Sequence, residues 1–308
     1  MRQKASLHLH PLPTVEGIGP SRVRIPAGPW KNILEYLEER FPKVQSATWI
    51  SRMRKGEVVD EHGIPLGAES PCRKGTFIFY YRTLEHETTI PFEEGILYQD
   101  DHILVADKPH FLPVMPSGRF LRETLLVRLK KKLKLEHLVP LHRIDRETAG
   151  IVMFSCNPET RRNYASLFTN HEVRKVYEAL ASTLPGGHFP IIRRSCLVKG
   201  EPFFRMKEVD GMPNSETSVD VVENMGAITL YRLTPVTGRQ HQLRVHCAAL
   251  GIPIINDTLY PEIQPRKEDD FFSPLQLLAK SITLRDPLTG QDRCFESTRK
   301  LERGIDNA

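Results

Sequence analysis

Apolar positions along the chain alternate between helical and strand rhythms. Trp30, Ile33, Leu34, Leu37 and Phe41 recur on one helical face, Glu35, Glu38 and Glu39 lie off it, and Pro42 closes the segment. Residues 47–60 read as a short basic helix with Arg52, Arg54 and Lys55, a stop at Gly56, and a strand; Gly63 turns the chain into a second strand at residues 76–81. Residues 96–109 read as two strands around an Asp100-Asp101 turn, ending in Lys108-Pro109. Residues 124–137 form a helix with Leu125, Leu126, Leu129 and Leu133 on one side and Arg128, Lys130, Lys131, Lys132 and Lys134 crowding the rest. That charged face reads as solvated, with phosphate contact as the alternative. Ile151-Val152-Met153-Phe154 is a continuous apolar run, the mark of a short buried strand. Asn157-Pro158 reads as a helix start, with Tyr164, Leu167 and Phe168 as the apolar face. Residues 173–180 read as a strand, and a helix begins near Arg239 and ends at Gly251 and Pro253.

Alternating strands and a few helices predict an α+β fold. At 308 residues the chain suits one large domain and a small one. Residues 1–29, with Pro11, Pro13, Gly17, Gly19 and Pro20, read as an extended arm; residues 30–90 form a small α+β module, and residues 91–308 the main domain. Apolar residues make 40% and charged residues 26%, an ordinary globular mixture. The net charge of +5 is compatible with a polyanionic partner without requiring one. Five scattered cysteines without a C-x-x-C pair point to reduced thiols and a cytoplasmic protein, excluding a disulfide framework or a zinc site. No apolar run approaches the roughly 20 residues of a membrane span, and the N-terminus lacks the apolar core of a signal peptide.

Candidate chemistry gathers in three stretches. In Leu141-His142-Arg143-Ile144-Asp145-Arg146-Glu147-Thr148-Ala149-Gly150 a single aspartate sits between two arginines, and an Ala-Gly turn follows. Flanking cations favour the ionised carboxylate, which can attack an electrophilic carbon or stabilise a developing cation; an ordinary surface ion pair is the bland alternative. On the strand at 173–180, Lys175 and Tyr177 point the same way, although a tyrosine in a half-buried strand is more often core. In residues 237–246, Gly238 makes a tight turn, and His241 and Arg244 lie three apart on one helical face. His241 and His246 are five apart with no acidic ligand, so no metal is expected.

The first stretch resembles the H-R-L-D-R-x-T-S-G signature of the RluA-type RNA pseudouridine synthases, with Ile144 for Leu and Ala149 for Ser. Residues 175–179 are similar to the family's K-x-Y-x-A, and 237–246 to its T-G-R-x-H-Q-I/L-R-V-H. Residues 253–260 match P-I-x-G-D-x-x-Y with Asn256 for Gly, and residues 108–114 match K-P-x-G-x-x-V with Phe111 for Gly. Leu278 stands where a late L-x-L-H-A element has histidine. The resemblance implies the pseudouridine synthase fold, a central mixed, largely antiparallel sheet split by an RNA-binding cleft, with the 30–90 module S4-like. It implies an enzyme isomerising specific uridines to pseudouridine in structured rRNA or tRNA, without cofactor or metal; the oligomeric state is not legible, and a monomer is the default. Asp145 would be the catalytic carboxylate, Arg244 its orienting partner, and Tyr177 the ring against the uracil. His142, Arg143, Arg146, Lys175, Arg239 and His241 would contact RNA. A catalytically inactive RNA-binding protein of the same fold is the alternative.

Overall fold

The computed structural model describes residues 11–84, 86–265 and 270–302. The chain divides into two compact units between Glu87 and Thr88. In the first, β1 (Ser21–Arg24), α1 (Ile33–Arg40), α2 (Ser46–Arg54), β2 (Val58–Val59) and β3 (Phe77–Tyr80) give a three-stranded sheet in the order β1-β3-β2 with two helices. Asn32 caps α1 by accepting the Glu35 amide, and Gly56, with a φ of +70°, ends the turn after α2 as its position predicts. Part of the segment read as an arm is a strand: Val23 pairs with Ile78, and buried Ile25 continues into the core around Tyr36, Leu37, Trp49 and Tyr80.

The second unit contains β4 (Gly95–Gln99), β5 (Ile103–Lys108), α3 (Leu125–Leu133), β6 (Val139–Pro140), β7 (Ala149–Ser155), α4 (Arg161–Thr169) and β8 (Arg174–Ser182). It continues with β9 (Ile191–Lys199), β10 (Met206–Val209), β11 (Ser215–Asn224), β12 (Ile228–Pro235), α5 (Gln242–Ala249), β13 (Leu277–Arg285) and β14 (Asp292–Glu296). The expected α+β class holds: among the described residues one large mixed sheet runs β10-β9-β11-β12-β8-β13-β7-β5-β4, with β14 beside β13 and β6 beside β7.

The unbroken apolar run in β7 has a simple cause, since both faces of β5 and β7 are covered. Leu104, Ala106, Val152 and Phe154 pack under Leu125 and Leu129 of α3. Ile103, Val105, Ile151 and Met153 face Tyr164 and Leu167 of α4 on the other side. On the far half, Leu243 and Cys247 of α5 pack on Ala179, Ala181, Tyr231 and Leu233. Helix α4 starts at Arg161, later than Asn157-Pro158 suggests, because the Asn157 side chain accepts the Glu159 amide in a local turn before the helix. The basic face of α3 is partly committed to structure: Arg128 ion-pairs with Glu94 and Glu123 and donates to the carbonyls of Ile90 and Phe92.

Every adjacent pair in the sheet is antiparallel except β7–β13, which joins the two halves through Leu278 opposite Ala149 and Ala279 opposite Gly150. Ala279 also pairs with Tyr177 on β8, so Gly150, Ala279 and Tyr177 form one row across the sheet. The Ala-Gly pair read as a turn is therefore the first part of β7 itself. Only glycine fits there. Gly150 has a φ of +107°, and an added Cβ would sit 2.2 Å from the Ala279 carbonyl oxygen. Both positions where glycine was expected but another residue stands keep a left-handed backbone, Phe111 at φ 67° and Asn256 at φ 61°. Asparagine tolerates this conformation; Phe111 accepts its strain as a fully buried ring against Phe92 and Phe271.

Gly150→Ala is expected to separate β7 from β13 and to destabilise the fold by more than about 2 kcal/mol, read as a drop in thermal midpoint by circular dichroism. An unchanged midpoint would show that the strands do not approach this closely.

Candidate active site

The loop ahead of β7 is fastened almost entirely by its backbone. Leu141 donates its amide to the Met153 carbonyl, and the Met153 amide donates to Nε2 of His142, tying both residues to the strand. The Thr148 amide closes a turn onto the Asp145 carbonyl at 3.2 Å. From below, the fully buried Lys108 donates from Nζ to the Arg146 and Pro109 carbonyls, each at 3.0 Å. His110 Nδ1 lies 2.6 Å from the Glu147 carbonyl. With its backbone so held, the loop presents the Asp145 side chain, 24% exposed, to a cleft of about 440 Å³.

Across the cleft, Asp145 meets two groups from the 237–246 stretch. Its Oδ2 is 3.5 Å from Nη1 of Arg244, and its Oδ1 is 3.8 Å from Nε2 of His241. Helix α5 begins at Gln242 and not near Arg239, because the Gln242 carboxamide draws the preceding loop together. Its Oε1 accepts the Arg239 amide and the Thr237 hydroxyl, while Nε2 donates to Glu216 O and Thr217 Oγ1. His241 is consequently the residue before the helix, left-handed at φ 53°, and does not share a helical face with Arg244; the two still converge on Asp145.

Arg244 is almost fully buried, and a bare buried guanidinium would be very costly. Asp257 removes that cost with a bidentate pair: Nε to Oδ2 at 2.8 Å and Nη2 to Oδ1 at 2.6 Å. The Leu259 and Tyr260 amides donate to the same Oδ1, fixing the carboxylate. Although burial alone opposes its charge, hydrogen bonds and charge from Asp257, helped by Asp145 and Glu147, raise the arginine above its ordinary pKa. The tight bonds go to Asp257, and Asp145 receives the loose one.

Burial lowers the pKa of His241 below the ordinary histidine value, against the attraction of Asp145. The Tyr260 hydroxyl accepts the Met206 amide at 2.7 Å and shares a hydrogen bond with Nδ1 of His241 at 2.9 Å, which turns the imidazole Nε2 towards Asp145. Tyr177 lines the same cleft, and burial, then the charge of Asp145, raise its pKa, keeping it a phenol. Lys175, on the same strand face, loses basicity to burial, and its amine lies beside Gly238.

Of the residues singled out in the sequence, His142, Arg143, Asp145, Lys175, Tyr177, Arg239, His241 and Arg244 all line this cleft. Arg146 does not: it pairs with Glu147 at 2.9 Å and lies over the Phe120 ring. His142 stacks on Phe168 with its pKa lowered by burial to about 3, so it is neutral and already bonded to the strand. Three supporting residues escaped attention: Lys108, Asp257 and Tyr260. A lysine ending the apolar strand β5 was a signal for the first; an acid three residues before a tyrosine, in the P-I-x-G-D-x-x-Y match, was one for the other two.

The model of the RNA pseudouridylate synthase family matches residues 102–249. The dual-specificity RNA pseudouridine synthase RluA of Haemophilus influenzae is 32% identical over 210 residues, covering 66% of this chain and 91% of that protein. An uncharacterized RNA pseudouridine synthase of Synechocystis sp. is 26% identical over 238 residues, or 74% of this chain and 79% of its own. The solved structure of human RNA pseudouridylate synthase domain containing 4 superposes with a TM-score of 0.54 at 26% identity, covering 68% of this chain and 89% of that one.

Asp257→Asn is expected to leave Arg244 buried without its counter-charge and to lower stability by about 3–5 kcal/mol in urea denaturation. A loss below about 1 kcal/mol would contradict the pairing described. Burial lowers Lys108 from the ordinary lysine value of 10.5 to about 7. Between those values the unfolded chain carries the extra proton, so raising the pH from 7 towards 10 favours the folded state. Lys108→Met should flatten that rise, as measured by urea unfolding at several pH values.

Proposed function

Because the chain belongs to the RNA pseudouridine synthase family, enzymes that isomerise uridine to pseudouridine, we propose that Asp145 is its catalytic carboxylate and a structured rRNA or tRNA its substrate. The observation that carries this reading is the carboxylate at the cleft floor, partly open, held on one side by an arginine whose other nitrogens are occupied by Asp257.

The reaction breaks the bond between ribose C1′ and uracil N1, turns the base, and joins C1′ to C5; C5 gives up a proton and N1 gains one, so the product is an isomer. Electron density leaves the sugar as the first bond breaks, and an adjacent carboxylate stabilises or traps the cationic carbon. Asp145 fits this task because its grip on Arg244 is loose at 3.5 Å, so the oxygen is oriented without being locked in a tight pair. Arg244 and His241 flank the carboxylate on two sides, the arginine orienting it and the imidazole lying beside it.

Such chemistry requires the uridine to leave its stack. Tyr177, a neutral phenol at the cleft wall, offers a ring face to the extruded uracil. Arg143 is exposed at the rim, in position to fill the space the base leaves. Lys175 and exposed Arg239 suit backbone phosphates. Arg146 and His142 serve the loop instead, through the pairing and stacking that hold Asp145 in place. The first unit, with Arg54 and Lys55 exposed on and after its second helix, would add RNA contacts as an S4-like module.

RNA labelled with tritium at uridine C5 tests the assignment. The wild-type protein is expected to release the label, while Asp145→Ala folds and binds RNA but releases none above background. Release undiminished by the substitution, or absent from the wild type, overturns it.

A further inference from the structure

The hairpin of β9 and β10 turns at residues 200–205, just outside the cleft. Phe203 at this tip is 83% exposed and Phe204 40%, their rings edge to face at 5.5 Å. The tip is held firmly: the Gly200 amide donates to the Arg205 carbonyl and the Arg205 amide to the Pro202 carbonyl, both at 2.9 Å. It is also tied to the cleft wall. Gln240, in the loop carrying Arg239 and His241, donates to the Phe204 carbonyl at 3.4 Å. Arg205 lies over the Tyr260 ring at 5.0 Å and donates to the Pro261 carbonyl at 2.7 Å. Tyr260 is the residue that orients His241 beside Asp145, so the aromatic tip and the cleft share one support. Lys199 and Lys207 are exposed on the flanking strands, and Arg239 at the cleft edge.

We propose that Phe203 is a stacking platform for an unpaired RNA base next to the target uridine. The inference rests on the cleft binding RNA, as argued above. A rigid aromatic face in water, flanked by cations and continuous with a cleft, suits single-stranded nucleic acid, because cations hold the phosphates and the ring accepts any base. A protein partner is the poorer fit, since lysine is depleted where proteins meet.

Fluorescence anisotropy with a fluorescein-labelled oligouridine tests the platform, using Phe203→Ala, Phe203→Leu and Phe203→Trp, with thermal melting as the check on folding. Loss of the stack weakens Kd about tenfold in the alanine and leucine variants, and tryptophan retains binding. Leucine binding as tightly as phenylalanine, the behaviour of a greasy contact suited to a protein, overturns the proposal. So does an unaffected alanine variant, or a wild type that does not bind. Tritium release is scored separately on the wild type. Its absence alongside Phe203-dependent binding overturns the catalytic reading and not the platform, and the converse pattern does the reverse.

Discussion

Arg244 is a buried cation with two acidic neighbours of unequal claim. Asp257 takes Nε and Nη2 in a planar fork and is itself held by two backbone amides, so the pair is rigid and locally neutral. Without it, desolvation would drive the guanidinium from its buried place. With it, Nη1 remains as a fixed donor towards Asp145, at a separation too long for a strong bond. The role proposed for Asp145, attacking or steadying a reaction centre, benefits from this division. A fork-like pair made with Asp145 directly would have tied up both of its oxygens.

The sheet places the partners. Its two halves meet through the short parallel contact of β7 and β13, with Gly150, Ala279 and Tyr177 in one row. The Asp145 loop enters β7 beside that joint, and Tyr177 stands one strand beyond it. Helices α3 and α4 clamp one half from both faces, and α5 packs on the other while carrying Arg244. Asp145, Tyr177 and Arg244 thus come from three different elements, and local segments alone do not bring them together.

That division explains what was legible beforehand. Short-range patterns were readable: helix α1, the two strands around Asp100-Asp101, the buried run of β7 and the shared face of Lys175 and Tyr177 all follow from the spacing of apolar positions. The start of α5 was misread because Gln242 bonds backward into the 237–241 loop, a tertiary choice that propensity does not carry. Asp257 lies thirteen residues from Arg244, and nothing in their spacing announces a buried fork. Arg143 and Arg146 look equivalent in the sequence, and only the Phe120 ring and Glu147 separate them, by drawing Arg146 off the cleft. Phe111 stands where the matched pattern has glycine, and only the structure shows the buried ring that accompanies its left-handed backbone.

The cations around the cleft differ in how much water reaches them. Arg244 is shut inside, whereas Arg143 and Arg239 stand at the rim in solvent. Mobile ions screen interactions across water over about 10 Å at 0.1 M but scarcely enter a closed interior. Raising ionic strength should therefore loosen the hold on a polyanion while leaving the acid and its buried guanidinium as they were. The capture and the chemistry proposed for these groups would answer to separate electrostatic environments only a few side chains apart.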